Sequence, residues 1–463
     1  MSEYQYNKVT PEMIEKFKEI APKRVLVGDE INEDFTHDEM AIYGKARPEV
    51  LVEATSTEEV AAVVKLCNEN KVPVTPSGAR TGLVGGAVSI GGGVMISLTK
   101  MNKILGYDKE NFVVKIQSGV LLNDLAQDAE KQGLLYPPDP GEKFATVGGN
   151  VATNAGGMRA VKYGCTRDYV RAMTVVLPTG EIVKLGATVS KTSSGYSLLN
   201  LMIGSEGTLG IITELTLKVI PAPKSVISLI IPYENLEDCI ATVPQFFMHH
   251  LAPQALEFME KEVYPKELEG TEIGAYLLAT FDGNSEEQLE DIIEQASEVV
   301  LEAGAIDVLV ADTPALKKDA WAVRGALLEA IEADTVLLDE CDVVVPTNKI
   351  AEFLTYTKSL EAEADFRVKS FGHAGDGNLH IYTCSNDMEE GEFKKQVAVF
   401  MDKVYAKATE FGGMISGEHG IGHGKMDYLA ESLGPVQMRI MEGVKEVFDP
   451  NMILNPGKIC YKL

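Results

Sequence analysis

No CxxC pair and no apolar run long enough to span a bilayer occur in the sequence. The six cysteines stand apart at positions 67, 165, 239, 341, 384 and 460. That scatter excludes a disulfide frame and an iron–sulfur site, and it reads as reduced thiols in a cytoplasmic protein. The stretch Met1–Met13 has no basic segment leading into an apolar one, so no secretory signal is expected. Positive charge is scarce: 42 Lys and Arg face 69 Asp and Glu, for a net charge of −27. This argues against nucleic acid or an anionic membrane surface as the main partner. A small anionic substrate stays open, because local basic residues decide that. Histidine is sparse too, with seven in 463 residues. What remains is an ordinary globular composition, 45% hydrophobic and 24% charged, with enough apolar mass for two or three domains.

The chain is organised around Tyr136–Gly164. Pro137, Pro138 and Pro140 fix a stiff, extended entry around Asp139. Thr146, Gly148, Gly149, Asn150, Thr153, Asn154, Gly157 and Gly164 come after it. Residues this small let a backbone lie against a bulky ligand, and the polar ones add hydrogen bonds without bulk. A plain surface loop is the alternative. Two more small-residue loops lower its odds. One follows a strand at Val72–Val74 and runs through Pro76, Ser77, Gly78, Ala79, Arg80, Thr81 and Gly82. The other, Gly204–Gly210, leads into a strand at Ile211–Val219. Strand followed by glycine-rich loop suits an anion, although neither is a Walker A loop or GxGxxG.

Other elements are legible. Ser56 and Glu59 form a capping box for a helix that stops near Asn70. A helix is predicted over Leu122–Lys131, and a hairpin joins Met173–Leu177 to Glu181–Leu185. Composition changes after Pro223, which divides the chain into 1–223, 224–411 and a returning segment 412–463. The middle part alternates strands (Ser225–Ile231, Tyr276–Phe281, Asp307–Val310, Val336–Val345, Arg367–Phe371, Leu379–Thr383) with helices, one of them over Pro314–Ile331.

Four of the seven histidines fall in two glycine-rich stretches, Gly372–His380 and Gly417–Gly424. His373 and His380 bracket a glycine turn that could bring both imidazoles to one site. With a carboxylate they would suit zinc, manganese or ferrous iron; two hydrogen-bonded buried histidines are the alternative. His419 and His423 are four apart, but the glycines around them oppose a zinc-binding helix. Arg324, in Trp321–Arg324, has the planar fork that suits a carboxylate, or else a surface salt bridge.

PSGARTGL, PPDPG with TVGGNVATNAGG, SGYSLLNLMIGSEGTLGIITE and FDPNMILNPGK together resemble the FAD-linked 2-hydroxyacid dehydrogenases related to the flavin-binding chain of glycolate oxidase and to D-lactate dehydrogenase. The resemblance runs from about residue 40 to 460. It implies an α+β protein: a two-part FAD-binding domain of the vanillyl-alcohol-oxidase type with an inserted α+β cap, an antiparallel sheet covered by helices. It implies that the FAD pyrophosphate lies on residues 76–82. The ring would lie along Pro138–Gly157, with Gly164 near its end, and Glu206, Gly207, Gly210, Ile211 and Ile212 would complete the site. Asn378 would contact flavin or fix its turn. Some relatives attach flavin to a histidine after the first glycine loop; here the place reads Thr81-Gly82-Leu83, so FAD is expected to be non-covalent. The resemblance also implies His373, His380 and Glu418 as ligands of a divalent metal, with His419 the candidate base. Gly325 stands where the family has an acidic residue after the arginine, which leaves the support of Arg324 open.

The implied activity is FAD- and metal-dependent oxidation of a small D-2-hydroxy acid, D-lactate to pyruvate first. A hydride would pass to flavin N5, and electrons to a protein such as an electron-transfer flavoprotein. Glycolate or 2-hydroxyglutarate is the alternative substrate. A non-redox FAD enzyme or a metal-binding scaffold is the alternative of another class.

Overall fold

The computed structural model describes residues 5–260, 272–311, 321, 324 and 327–463. The chain divides into two compact units. One comprises Met1–Ala155, Cys165–Ala222 and Glu418–Leu463; the other comprises Gly156–Gly164 and Pro223–Gly417. Gly157 and Gly164, expected in the flavin domain, therefore belong to the second unit. The cause is local. Lys162 and Tyr163 both bind the Asp282 carboxylate, and a Cβ on Gly375 would overlap Val161.

The first unit starts with helix α1 (Pro11–Ile20), capped by the Thr10 hydroxyl and burying Met13 and Phe17. Its first sheet has strands β1 (Val25–Val27), β2 (Val50–Glu53), β3 (Val74–Ser77) and β4 (Val94–Ser97) in the order β1-β2-β4-β3. Helix α2 (Thr57–Asn70) crosses from β2 to β3 and buries Val60, Val63, Val64 and Cys67. Ser56 caps it, accepting from Glu59 N at 3.2 Å. The expected capping box is only half formed. The Glu59 carboxylate turns to Thr55 N and to Arg24 instead. Strand β3 begins two residues later than predicted, because Val74 pairs with Val94 and bridges Leu454. Pro76 and Ser77 are thus strand residues. Proline is tolerated there because β3 closes the four-stranded order.

A second sheet runs β5-β6-β10-β8-β9. It uses β5 (Ile104–Asp108), β6 (Val113–Gln117), β8 (Val170–Val176), β9 (Ile182–Gly186) and β10 (Ile211–Lys218), while β7 (Leu134–Leu135) pairs with β11 (Ile220–Pro221). Helix α3 (Leu122–Lys131) has the predicted limits. Thr146–Asn154 is not a loop: Val147–Thr153 forms a short helix, α4, with Thr146 accepting from Gly149 N at 3.3 Å.

The stretch Glu418–Leu463 locks onto this frame through Lys445. That ammonium is 1% exposed and donates to the carbonyls of Thr208 (2.7 Å) and Leu454 (2.8 Å) and to Asp449. Removing the cation would strand a buried carboxylate. Lys445→Met is therefore expected to cost about 3–5 kcal/mol in urea denaturation; a loss below about 1 kcal/mol would contradict this account.

The second unit is built on seven antiparallel strands in the order β15-β12-β14-β13-β17-β18-β16. They are β12 (Ser225–Tyr233), β13 (Ala255–Glu260), β14 (Ala275–Gly283), β15 (Leu309–Ala311), β16 (Leu337–Val344), β17 (Arg367–His373) and β18 (Asn378–Ser385). Met259, Tyr276, Phe371, Tyr382 and Cys384 pack with Leu327 and Ile331 of the helix Leu327–Ala333. Most of the helix predicted over 314–331 lies outside the described residues. Strand β13 is absent from the sequence reading, and it proves to matter.

Candidate active site

In the first unit, glycines of the small-residue loops close directly on neighbouring side chains. A Cβ on Gly78 would overlap the Thr146 hydroxyl, one on Gly148 would overlap Ser118, and one on Gly207 would overlap Pro76. The three loops are therefore packed at backbone contact, which only glycine permits. Among the described residues, the N–H groups of Ala79, Arg80, Thr81 and Gly82 donate no hydrogen bond. Arg80 has φ 64°, and its side chain is turned away: Nε donates to Asp34 O at 2.8 Å and the guanidinium lies over Phe35. Asn150 Nδ2 and Ser118 Oγ are buried without a hydrogen-bond partner. Asn154 is committed elsewhere, with Oδ1 accepting from Arg167 N at 3.0 Å, and Asp139 pairs with Lys143.

Glu206, with φ 49°, is a strut of this frame. Its carboxylate accepts from Ile421 N and Gly422 N, both at 2.7 Å. Burial pushes its carboxyl up to about 6, against the pull of those two N–H groups and Lys458. Gly210 packs against Val175, and Ile211 and Ile212 are buried strand residues paired with Val176 and Val175. His423 faces two backbone carbonyls, Gly85 O and Tyr43 O, each at 2.9 Å, which is structural work. Residues 417–424 are not helical, in line with their glycines.

In the second unit the stretch 372–380 is a hairpin, not a glycine loop. His373 ends β17 and His380 lies in β18, with a turn at 374–377 between the strands. The ladder pairs Phe371 with His380 and His373 with Asn378, so the two imidazoles are diagonal neighbours on one face. Their centroids are 5.4 Å apart, edge to face, and both side chains are buried. Each Nδ1 meets a buried carboxylate: His373 lies 2.7 and 2.9 Å from the two Glu257 oxygens, and His380 lies 3.2 Å from Glu340. Asp376 fixes the turn by accepting from Asn378 N at 3.1 Å.

Arg324 is buried on the same acid. Its Nε is 2.8 Å and a terminal nitrogen 2.6 Å from Glu257 Oε2, and its guanidinium covers the Phe371 ring at 4.7 Å. Glu257 thus fills the place left open by Gly325. Burial opposes its ionisation, but His373 and Arg324 outweigh that and hold the carboxyl below the usual range. Asp342 anchors the segment that ends this unit. It accepts from Asn378 Nδ2 at 2.6 Å, and from Ser416 Oγ and Gly417 N at 2.9 Å each. Gly417 is the last residue of the unit, and Glu418 and His419 come next in the chain, 3.9 Å apart from Oε1 to Nε2.

Two family models match: an FAD binding domain over residues 48–186, and the C-terminal domain of FAD linked oxidases over residues 222–459. The chain belongs to the FAD-linked oxidase family. A D-lactate dehydrogenase of Anaerostipes hadrus is 97% identical with 100% of both chains covered. A D-lactate dehydrogenase of Archaeoglobus fulgidus is 40% identical over 89% of this chain and 92% of its own. The glycolate oxidase subunit GlcD of Bacillus subtilis is 36% identical over 90% of each. Among solved structures, p-cresol methylhydroxylase aligns with a TM-score of 0.79 at 19% identity, covering 98% of each chain. That likeness fixes the fold, the vanillyl-alcohol-oxidase type.

This FAD-linked oxidase uses FAD, and its first unit fits the cofactor. Unbonded N–H groups on residues 79–82 suit a pyrophosphate, and Asn150 Nδ2 and Ser118 Oγ are buried polar atoms without a partner. No helix among the described residues is long and apolar enough to cross a membrane. The sequence reading missed Glu257, Glu340 and Asp342. Their one signal is acid within apolar strand sequence, as in LLDECDVV.

Proposed function

We propose that this enzyme oxidises D-lactate to pyruvate with one divalent metal and passes the electrons to a protein acceptor. One observation carries the chemistry: two buried imidazoles, each with Nδ1 on a carboxylate, beside a buried arginine. With Nδ1 on its acid, each ring would offer Nε2 to a metal, and Arg324 would offer a guanidinium edge to a substrate carboxylate. The donor chemistry fits zinc, iron or manganese, with His373, His380 and Glu418 as ligands. The bound cation supplies positive charge that favours loss of the substrate hydroxyl proton. FAD, held non-covalently on residues 76–82, 138–157 and 206–212, supplies the hydride acceptor.

The chain's own residues do the rest. Arg324 holds the substrate carboxylate and thereby aims Cα. A ring nitrogen of His419 takes the hydroxyl proton as the Cα hydrogen departs with its electron pair, which leaves the keto acid. The preference for D-lactate rests on the two relatives that carry that name. A soluble electron-transfer flavoprotein is the proposed acceptor in a cytoplasmic setting, because the six cysteines are too dispersed in sequence for an iron–sulfur motif and the chain is strongly acidic.

Anaerobic mixing with D-lactate, L-lactate, glycolate and D-2-hydroxyglutarate tests the substrate. D-lactate is expected to bleach the flavin fastest, and bleaching by none of them would reject a hydroxyacid dehydrogenase. Turnover with oxygen, a dye and a purified electron-transfer flavoprotein, compared side by side, tests the acceptor. Oxygen consumption as fast as turnover would make the enzyme an oxidase.

A further inference from the structure

Glu257 is fully buried at the centre of the seven-stranded sheet, on β13 between β14 and β17. Both its oxygens are occupied. His373 Nδ1 lies against Oε1 and Oε2, while Arg324 donates Nε and a terminal nitrogen to Oε2. A single carboxylate therefore holds two side chains that arrive from different elements. A carboxylate only accepts, so His373 carries a proton on Nδ1 where it meets Glu257. Arg324 is restrained a second time by its stacking over Phe371, so the guanidinium can neither tilt nor slide freely. His380 is held differently. Its acid is Glu340, at 3.2 Å, whereas the hydrogen bond and ion pair of Arg324 both go to Glu257.

We propose that Glu257 is a positioning residue that ties a metal ligand, His373, to the substrate-carboxylate clamp, Arg324, and so sets the spacing for a carboxylate beside a hydroxyl-bearing carbon. This rests on the function proposed above. A buried carboxylate shared in this way is poor value for stability alone, since well-packed apolar residues serve as well. Its geometric consequence is specific. Metal affinity and substrate affinity pass through one side chain, whereas Glu340 bears on the metal ligand and not on the clamp.

The test uses FAD-loaded enzyme and compares Glu257→Gln, Glu257→Asp and Glu340→Gln with wild type. Zinc affinity is measured by competition with a chromophoric chelator, and KM and kcat for D-lactate are measured at saturating zinc. Glu257→Gln is expected to weaken zinc by roughly 10- to 100-fold, the usual effect of losing a carboxylate behind a ligand histidine. It should also raise KM by roughly tenfold or more, as loss of a charge-assisted bond at the clamp predicts. Glu340→Gln should weaken zinc and leave KM within about twofold, since it supports the histidine and the arginine is held by Glu257. Flavin content and melting temperature report folding. If Glu257→Gln does not fold, Glu257→Asp keeps the charge but is one methylene short, and the same paired loss is expected from it. Wild-type zinc affinity and KM in the Glu257 variants would overturn the proposal. So would a Glu257 pattern that matches Glu340→Gln. A wild-type enzyme that binds no zinc, iron or manganese would overturn the metal reading beneath it, an outcome distinct from the other two.

Discussion

His380→Ala is expected to lose its metal and its turnover together while keeping FAD. The imidazole lies on the β18 hairpin strand, with Nδ1 on Glu340 and its edge near His373. Alanine would remove one of the two proposed nitrogen donors, and a set of one nitrogen and one carboxylate is too sparse for tight divalent binding. Metal analysis should fall from about one ion per chain to under about a tenth. Turnover should drop by at least about 10³-fold, because the cation's share is several kcal/mol. The flavin spectrum should persist, since residues 79–82, which suit the pyrophosphate, lie in the other unit. Unchanged metal content in this variant would end the assignment.

His419→Asn is expected to separate proton transfer from binding. Asparagine retains polar atoms at nearly the same place but cannot take up a proton near neutral pH. FAD and metal should stay, and flavin reduction in a rapid-mixing trace should slow by roughly 10²–10⁴-fold, the span typical of a positioned general base. The loss should appear in the reduction rate with little change in D-lactate affinity. Reduction at close to the wild-type rate would remove His419 from the chemistry and leave another group to accept the proton.

Much of this was legible in the sequence for identifiable reasons. Strands and helices with a clear period appear near their predicted limits: α3 has them, β9 is shifted by one residue, and β8 starts three residues early. The glycine loops were legible because close backbone contact leaves few other choices of residue, as at Gly78 and Gly207. The supporting acids were not. Glu257 lies 116 residues from His373 in sequence, and nothing local to either announces the other. Strand β13 was hidden because ALEFME carries acids that look solvent-facing, yet Glu257 points into a buried site. The excursion at 156–164 was equally hidden, since nothing local to Lys162 or Tyr163 points to Asp282, 120 and 119 residues away. Pairings across such distances follow from strand order, which periodicity does not encode.

The bridge between Val74 and Leu454 also bears on how the protein is made. Asn455 N donates to Val74 O at 2.7 Å and Val74 N to Ile453 O at 2.8 Å, while Asn455 Nδ2 binds the carbonyls of Gly86 and Glu206. During synthesis the strand that precedes the 78–82 turn emerges roughly 380 residues before the segment that braces it, a wait of some 20–75 s at ordinary ribosome speeds. The second unit, drawn mainly from one continuous stretch, can condense in that interval. The first cannot close until Asn455 has left the ribosome. Flavin loading is then a post-translational event, and a nascent chain stalled before residue 450 should carry a folded sheet domain and no yellow colour.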